Sequence, residues 1–281
     1  MNALFPILAA VLQAGSFTLD KVVLGVRHVS HRTYVVVSFP FIFLTALAIY
    51  FVVQPPLSWA LLGGRLGWLL FASVVLTVLS NFIFYRALED DRLTEIETIG
   101  LLDRIPVILA AGVLFVDERQ FALMVPALVA AATVAWSHWE GRLRLASNTW
   151  PLLFWTLLAA PIGAAVSKQL LTVWNPISLE LVRSAVVAAI FVPLYRRSAA
   201  QLPGKAIWLL VATNILTSIA WIFYYFSYQR SGIVYTVLLF SLQPLLVYAA
   251  ALLVLKERFQ PKKFVAFLVV LASIAAAQFM R

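Results

Sequence analysis

The stretch from Arg104-Ile105-Pro106 to Asp117-Glu118-Arg119-Gln120 has a second copy, from Gln243-Pro244-Leu245 to Lys256-Glu257-Arg258-Phe259. Superimposing Glu118 on Glu257 also carries Tyr85 onto Tyr224 and Arg104 onto Gln243. Each copy reads as an aromatic-rich helix, a short polar break, an apolar helix carrying a proline, a Glu-Arg pair and a closing apolar helix. The proline stands thirteen positions before Glu257 and twelve before Glu118. Worked outward, the duplication divides the chain into 1–140 and 141–281, two copies of a five-helix unit that form one membrane domain.

The solvent for these helices is lipid. Hydrophobic residues make up 63% of the 281 and charged residues 12%, where a water-soluble domain carries about 25% charged residues. Apolar runs of about 18 residues or more, long enough for a hydrocarbon layer of ~30 Å, recur at 3–26, 33–53, 66–88, 93–115, 121–137, 150–173, 177–195, 205–229, 232–255 and 261–280. The expected fold is therefore an all-α integral membrane protein of ten transmembrane helices, in two inverted five-helix repeats. An odd number of crossings per copy makes the second copy enter from the opposite side. No basic residue precedes the first run, so it reads as a retained helix and not a cleaved leader.

The net charge of +9 suggests nucleic acid, but its distribution argues for a bilayer partner instead. Of the 21 basic residues, four (Lys21, Arg104, Lys168 and Arg183) lie inside apolar runs. Thirteen fall in odd-numbered connections and four in the termini and even-numbered connections. Lys and Arg collect on the cytoplasmic side of short loops, which predicts an inner (plasma) membrane protein with both termini outside. There is no cysteine, hence no disulfide and no thiolate chemistry. The histidines are His28, His31 and His138, too few and too scattered for a metal site, and no phosphate-binding or nucleophile motif occurs. Neither a cofactor, a metal nor an enzymatic activity is expected.

Phe84-Tyr85-Arg86-Ala87-Leu88, Ile105-Pro106 with the Phe-Val-Asp-Glu-Arg ending, and Leu242-Gln243-Pro244-Leu245 with Leu253-Val254-Leu255-Lys256-Glu257-Arg258-Phe259 resemble the drug/metabolite transporter superfamily, specifically its EamA-like ten-helix members. Ala14-Gly15-Ser16-Phe17 and the segment from Pro176 to Arg183 fit the same pattern. The resemblance implies an exporter of small polar or zwitterionic metabolites. It would work by alternating access, with substrate held near the midplane between the repeats, as a monomer or homodimer. A lipid flippase or accessory subunit of the same superfamily is the alternative, and a membrane-embedded enzyme a more distant one.

A charge near the bilayer centre is costly unless it is paired or faces water, so it marks function by default. Asp103 and Arg104 are the deepest charges, and Glu97 shares a helix stripe with Arg104. Arg104 either grips a carboxylate or phosphate through its planar fork or pairs with Glu97 or Asp20. Glu97 would hold an amine or take up a proton. Asp103 points about 100° away, toward another helix or the cavity. Gln243 stands at the same depth as Arg104 in the other copy, as a site residue or an interhelical bond. Asn81, Asn214, Trp221 and Tyr224 are further cavity candidates, the last two on a stripe with Tyr225 and Tyr228. Asp20, Lys21, Lys168, Glu180 and Arg183 are gate or ion-pair candidates. Lys168 and Glu180 are expected at one depth, and Glu180–Arg183 as a helix-surface pair. Glu118 and Glu257 are read as caps on turns at the surface.

Overall fold

The computed structural model describes residues 3–24, 31–57, 59–90, 99–139, 149–195, 204–254 and 259–280, and every structural statement here concerns those residues. The side chain of Lys21 and the whole of Glu97, Glu257 and Arg258 lie outside them. The described chain is helical, with no strand. The helices are α1 (Leu4–Leu24), α2 (His31–Val53), α3 (Gly64–Asp90), α4 (Arg104–Leu114), α5 (Phe121–His138), α6 (Trp150–Leu171), α7 (Pro176–Tyr195), α8 (Gly204–Ser231), α9 (Ile233–Phe240), α10 (Gln243–Val254) and α11 (Pro261–Phe279). Eight spans are long and apolar enough to cross a membrane, α9 and α10 counting as one, and Leu4–Asp20 is a shorter apolar helix. In the fourth apolar run, residues 99–102 are helical, a turn falls at Asp103, and α4 follows.

These helices carry apolar side chains on the outside as well as the inside, because lipid rewards both. Val52, Trp208 and Phe121 are 85%, 76% and 73% exposed. Between helices the hydrophobic effect offers no preference over lipid, so close packing and hydrogen bonds decide the contacts. α5 meets α11 through fully buried Ala127, Ala130 and Ala131 against Ala266, Val270 and Ala277. α2 meets α7 through Val35, Phe39, Val187 and Phe191, with Phe39 and Phe191 stacked at 5.1 Å. α1 meets α8 along a polar seam, where Ser16 Oγ lies 2.8 Å from Thr213 Oγ1 and 2.6 Å from Thr217 Oγ1. α1 also touches α9 and α10, α2 touches α8, α3 packs on α6 and α7, and α4 packs on α5, α6 and α9.

Two interruptions place the site. Pro244 has no N–H to give the carbonyl of Phe240, and the helix breaks at Ser241–Leu242 between α9 and α10. Pro106 likewise has none for Leu102, and α4 starts anew at Arg104. Arg104 and Gln243 are thus the first residues of the two renewed helices.

Candidate functional site

A cavity of about 850 Å³ runs through the bundle, lined from α1 to α11. At its centre the renewed helices face each other, and Arg104 Nη2 donates to Gln243 Oε1 at 3.3 Å, across 139 residues of chain. Both residues are more than nine-tenths buried. The Arg104 guanidinium also sits over the Phe240 ring, 5.8 Å from its centroid, while Nη1 has no hydrogen-bond partner. The two residues that the duplication superimposes therefore touch.

Asp103, Asn81, Asn214, Trp221 and Tyr224 line the same cavity. The amides of Asn81 and Asn214 donate to their own helices, to Thr77 O at 2.8 Å and Leu210 O at 2.6 Å. Trp221, Tyr224 and Tyr225 form one aromatic wall, with centroid separations of 5.3, 5.8 and 6.2 Å. Tyr224 and Tyr228 join their hydroxyls at 2.9 Å.

Among the charges expected at gates, three line the cavity: Asp20, Glu180 and Arg183. Asp20 Oδ1 accepts from the Tyr34 hydroxyl at 2.7 Å and lies 2.8 Å from Thr213 Oγ1, which ties α1, α2 and α8 together. Arg104 pairs with Gln243, not with Asp20; the alternative partner, Glu97, lies outside the described residues. The i, i+3 spacing of Glu180 and Arg183 suggested a surface pair. Instead Glu180 is 8% exposed, and Arg183 donates to the hydroxyls of Tyr225 and, at 2.6 Å, Thr77. The face that spacing alone assigns to solvent is here turned inward by the packing of α7 against α2, α3 and α8.

Lys168 also departs from expectation. Its ammonium donates at 2.5 Å to both Asp117 and Glu118 and stands 4.6 Å from the Phe115 ring centroid. Glu180 is not its partner. Glu118, expected at the surface, is 6% exposed, and its carboxylate accepts from the backbone N–H groups of Ile233 at 2.7 Å and Val234 at 3.0 Å. It is the N-terminal cap of α9, supplied from another helix, where an acidic group meets the positive end of the helix dipole. Gly232 has φ +84°, and a Cβ there would stand 2.6 Å from Glu118 Oε1. The junction binds the α4–α5 connection, the end of α6 and the start of α9. At the opposite end the cavity reaches His138, Gln260 and Lys263.

Sequence reasoning missed Thr77 as a partner of Arg183 and the role of Glu118. The only available signal for the latter was Ser231-Gly232 ahead of an apolar run, a helix start with no acid of its own nearby.

Apolar helices, two of them interrupted, surround a polar cavity with buried charges, an arrangement that fits a membrane transporter. Residues 150–277 match the model of the EamA-like transporter family, the domain of the drug/metabolite transporter superfamily. Over those residues the chain is similar to that family, in agreement with the resemblance read from its motifs. No curated protein matches the chain in sequence. A solved crystal structure of a protein 14% identical in sequence covers 99% of this chain and 96% of its own length, with a TM-score of 0.78. That likeness is one of fold.

Proposed function

We propose that the chain is a secondary transporter that exports small polar or zwitterionic metabolites by alternating access. Ten crossings would form two inverted five-helix repeats, 1–140 and 141–281, with substrate held between them at Arg104 and Gln243. The observation that carries this reading is the hydrogen bond between those two residues across the cavity. Groups that exchange under a two-fold axis meet only on that axis, so the contact is what an axis through the cavity requires. The packing supports the same exchange. The contact of α1 with α8 mirrors that of α6 with α3, and α2 with α8 mirrors α7 with α3. The pairs α2–α7 and α5–α11 map onto themselves.

The route follows from the cavity's two ends. The Glu118–Lys168 junction lies at the end bearing the even-numbered connections, outside the cavity lining. The cavity reaches the end bearing the odd-numbered, basic connections, which the charge distribution assigns to the cytoplasm. That is the loading state of an exporter in an inner membrane. In liposomes holding the purified protein, Arg104→Gln lowers metabolite flux far more than it lowers folded yield. Equal losses in both would make Arg104 a structural residue.

A further inference from the structure

At the centre of the cavity, donors stand without acceptors. Arg104 lines the cavity and is more than nine-tenths buried. Its Nη2 donates to Gln243 Oε1 at 3.3 Å, a long bond, and its Nη1 is buried with no partner at all. Gln243 takes that bond on its oxygen, and its amide NH2 makes no hydrogen bond among the described residues. Buried N–H groups left unmet are costly, most of all on a cation. This point is therefore shaped for oxygens that the protein does not supply.

The surrounding charges decide which oxygens fit. Asp103 is within electrostatic reach of Arg104, and Glu180 of Arg183, yet neither acid hydrogen-bonds its arginine. Arg183 is anchored on two nitrogens by the Tyr225 and Thr77 hydroxyls, with Nε alone unmet. Arg104, held by one long bond, is the guanidinium that a ligand can recruit. A carboxylate brings two oxygens and about four lone pairs in the plane that suits a guanidinium fork, enough for Arg104 Nη1 and the Gln243 amide together. It would replace the 3.3 Å contact by charge-assisted bonds of about 2.7–2.9 Å. A neutral carbonyl brings one oxygen and no charge. A phosphate ester brings close to two charges, and the second is set against Asp103, with Asp20 and Glu180 lining the same space; like charges brought together are costly. The Arg104 guanidinium sits over Phe240, whose ring is 4.8 Å from that of Tyr224. The wall of Tyr224 and Trp221 thus offers the body of such a ligand an apolar surface beside the charged point.

We infer that the transported substrate carries a carboxylate, received by Arg104 Nη1 and the Gln243 amide, and that Asp103 keeps phosphate esters out of the same place. This rests on the transporter reading and narrows its substrate class to metabolites that bear a carboxylate. Asp103 acts here as a specificity residue, through its charge.

The test measures the melting temperature of the purified full chain in detergent against benzoate, benzamide, phenyl phosphate and benzylamine, one ring with four head groups. Benzoate should stabilise the protein at about a tenfold lower concentration than benzamide, the difference between a charged and a neutral hydrogen-bonded contact. Phenyl phosphate and benzylamine should both be weaker than benzoate. Arg104→Gln should bring benzoate and benzamide to parity, a change of preference that a purely structural role would not produce. Asp103→Asn should close the gap between benzoate and phenyl phosphate while benzoate keeps its lead over benzamide. Should Arg104→Gln fail to fold, Asp103→Asn decides, because its side chain makes no hydrogen bond among the described residues. Benzamide, phenyl phosphate or benzylamine as effective as benzoate on the unaltered chain would overturn the inference. So would a benzoate preference that survives Arg104→Gln, an unchanged phosphate gap in Asp103→Asn, or no stabilisation by any of the four. Flux in liposomes, counted above that of protein-free vesicles, separates the two readings. Movement of an amine or a phosphate ester alone refutes the carboxylate and leaves the transporter standing. Binding of benzoate without movement of any solute refutes transport instead.

Discussion

Replacing Glu118 by Gln changes a few atoms and removes the charge at the junction of three helices. The carboxylate now receives Lys168 Nζ at 2.5 Å, Ile233 N at 2.7 Å and Val234 N at 3.0 Å. An amide keeps one acceptor oxygen and turns an NH2 group toward the remaining donors. Removing one member of a buried ion pair costs about 3–5 kcal/mol when its partner is left uncompensated. Lys168 retains Asp117, whose side chain is 70% exposed, so the loss falls to about 2–3 kcal/mol, including the weakened cap on α9. At about 2–4 °C per kcal/mol for a chain of this size, the melting temperature in detergent drops by roughly 5–10 °C. Asp117→Asn is the matched control, because an exposed pair contributes about 1 kcal/mol or less. Tryptophan fluorescence during thermal unfolding reads both variants. A Glu118→Gln loss no larger than that of Asp117→Asn would refute the buried cap.

Gly232→Ala strikes the same junction from the other side. The added Cβ would stand 2.6 Å from Glu118 Oε1 on a backbone at φ +84°, so a destabilisation of about 2 kcal/mol or more is expected. Combining it with Glu118→Gln should give clearly less than the sum, since the clash and the cap share one carboxylate; strict additivity in the double variant would show that the two residues are not coupled. Orientation is checked by a reporter enzyme active only in the cytoplasm. Fused after Arg281 it should stay silent, while the same reporter placed in the 140–148 connection should be active, and the reverse pattern would invert the assignment.

The cavity's character follows from how few polar groups a lipid-soluble bundle carries. Arg104, Glu180, Gln243, Asn214 and Ser16 are each buried within an apolar chain. Ser16 is satisfied by the α1–α8 seam. The others are gathered around one space. Burial in this bundle thus separates polar groups that bind helices together from those that line the cavity.

Much of this was legible in the sequence for one reason: lipid is a uniform solvent, so composition and run length report membrane residence directly, without knowledge of neighbours. The EamA-like motifs between residues 150 and 277 were readable because they are contiguous. Charges inside apolar runs, such as Arg104 and Glu180, were visible because burying them is costly wherever they end up. The partners of those charges were not legible. Lys168 was placed opposite Glu180 by depth, yet α6 presents it to the α4–α5 connection. Glu118 was placed at the surface by its position in a turn, yet it caps a helix 115 residues later in the chain. Arg183 was given to Glu180 by helical spacing and stays within its electrostatic reach, but the pair is buried and the hydrogen bonds of Arg183 go to α3 and α8. Depth along a membrane is a one-dimensional quantity that the chain encodes locally. Rotation about each helix axis and the choice of neighbour are set by small-residue packing such as that of Ala130 and Ala131 against α11, and only the assembled bundle decides them.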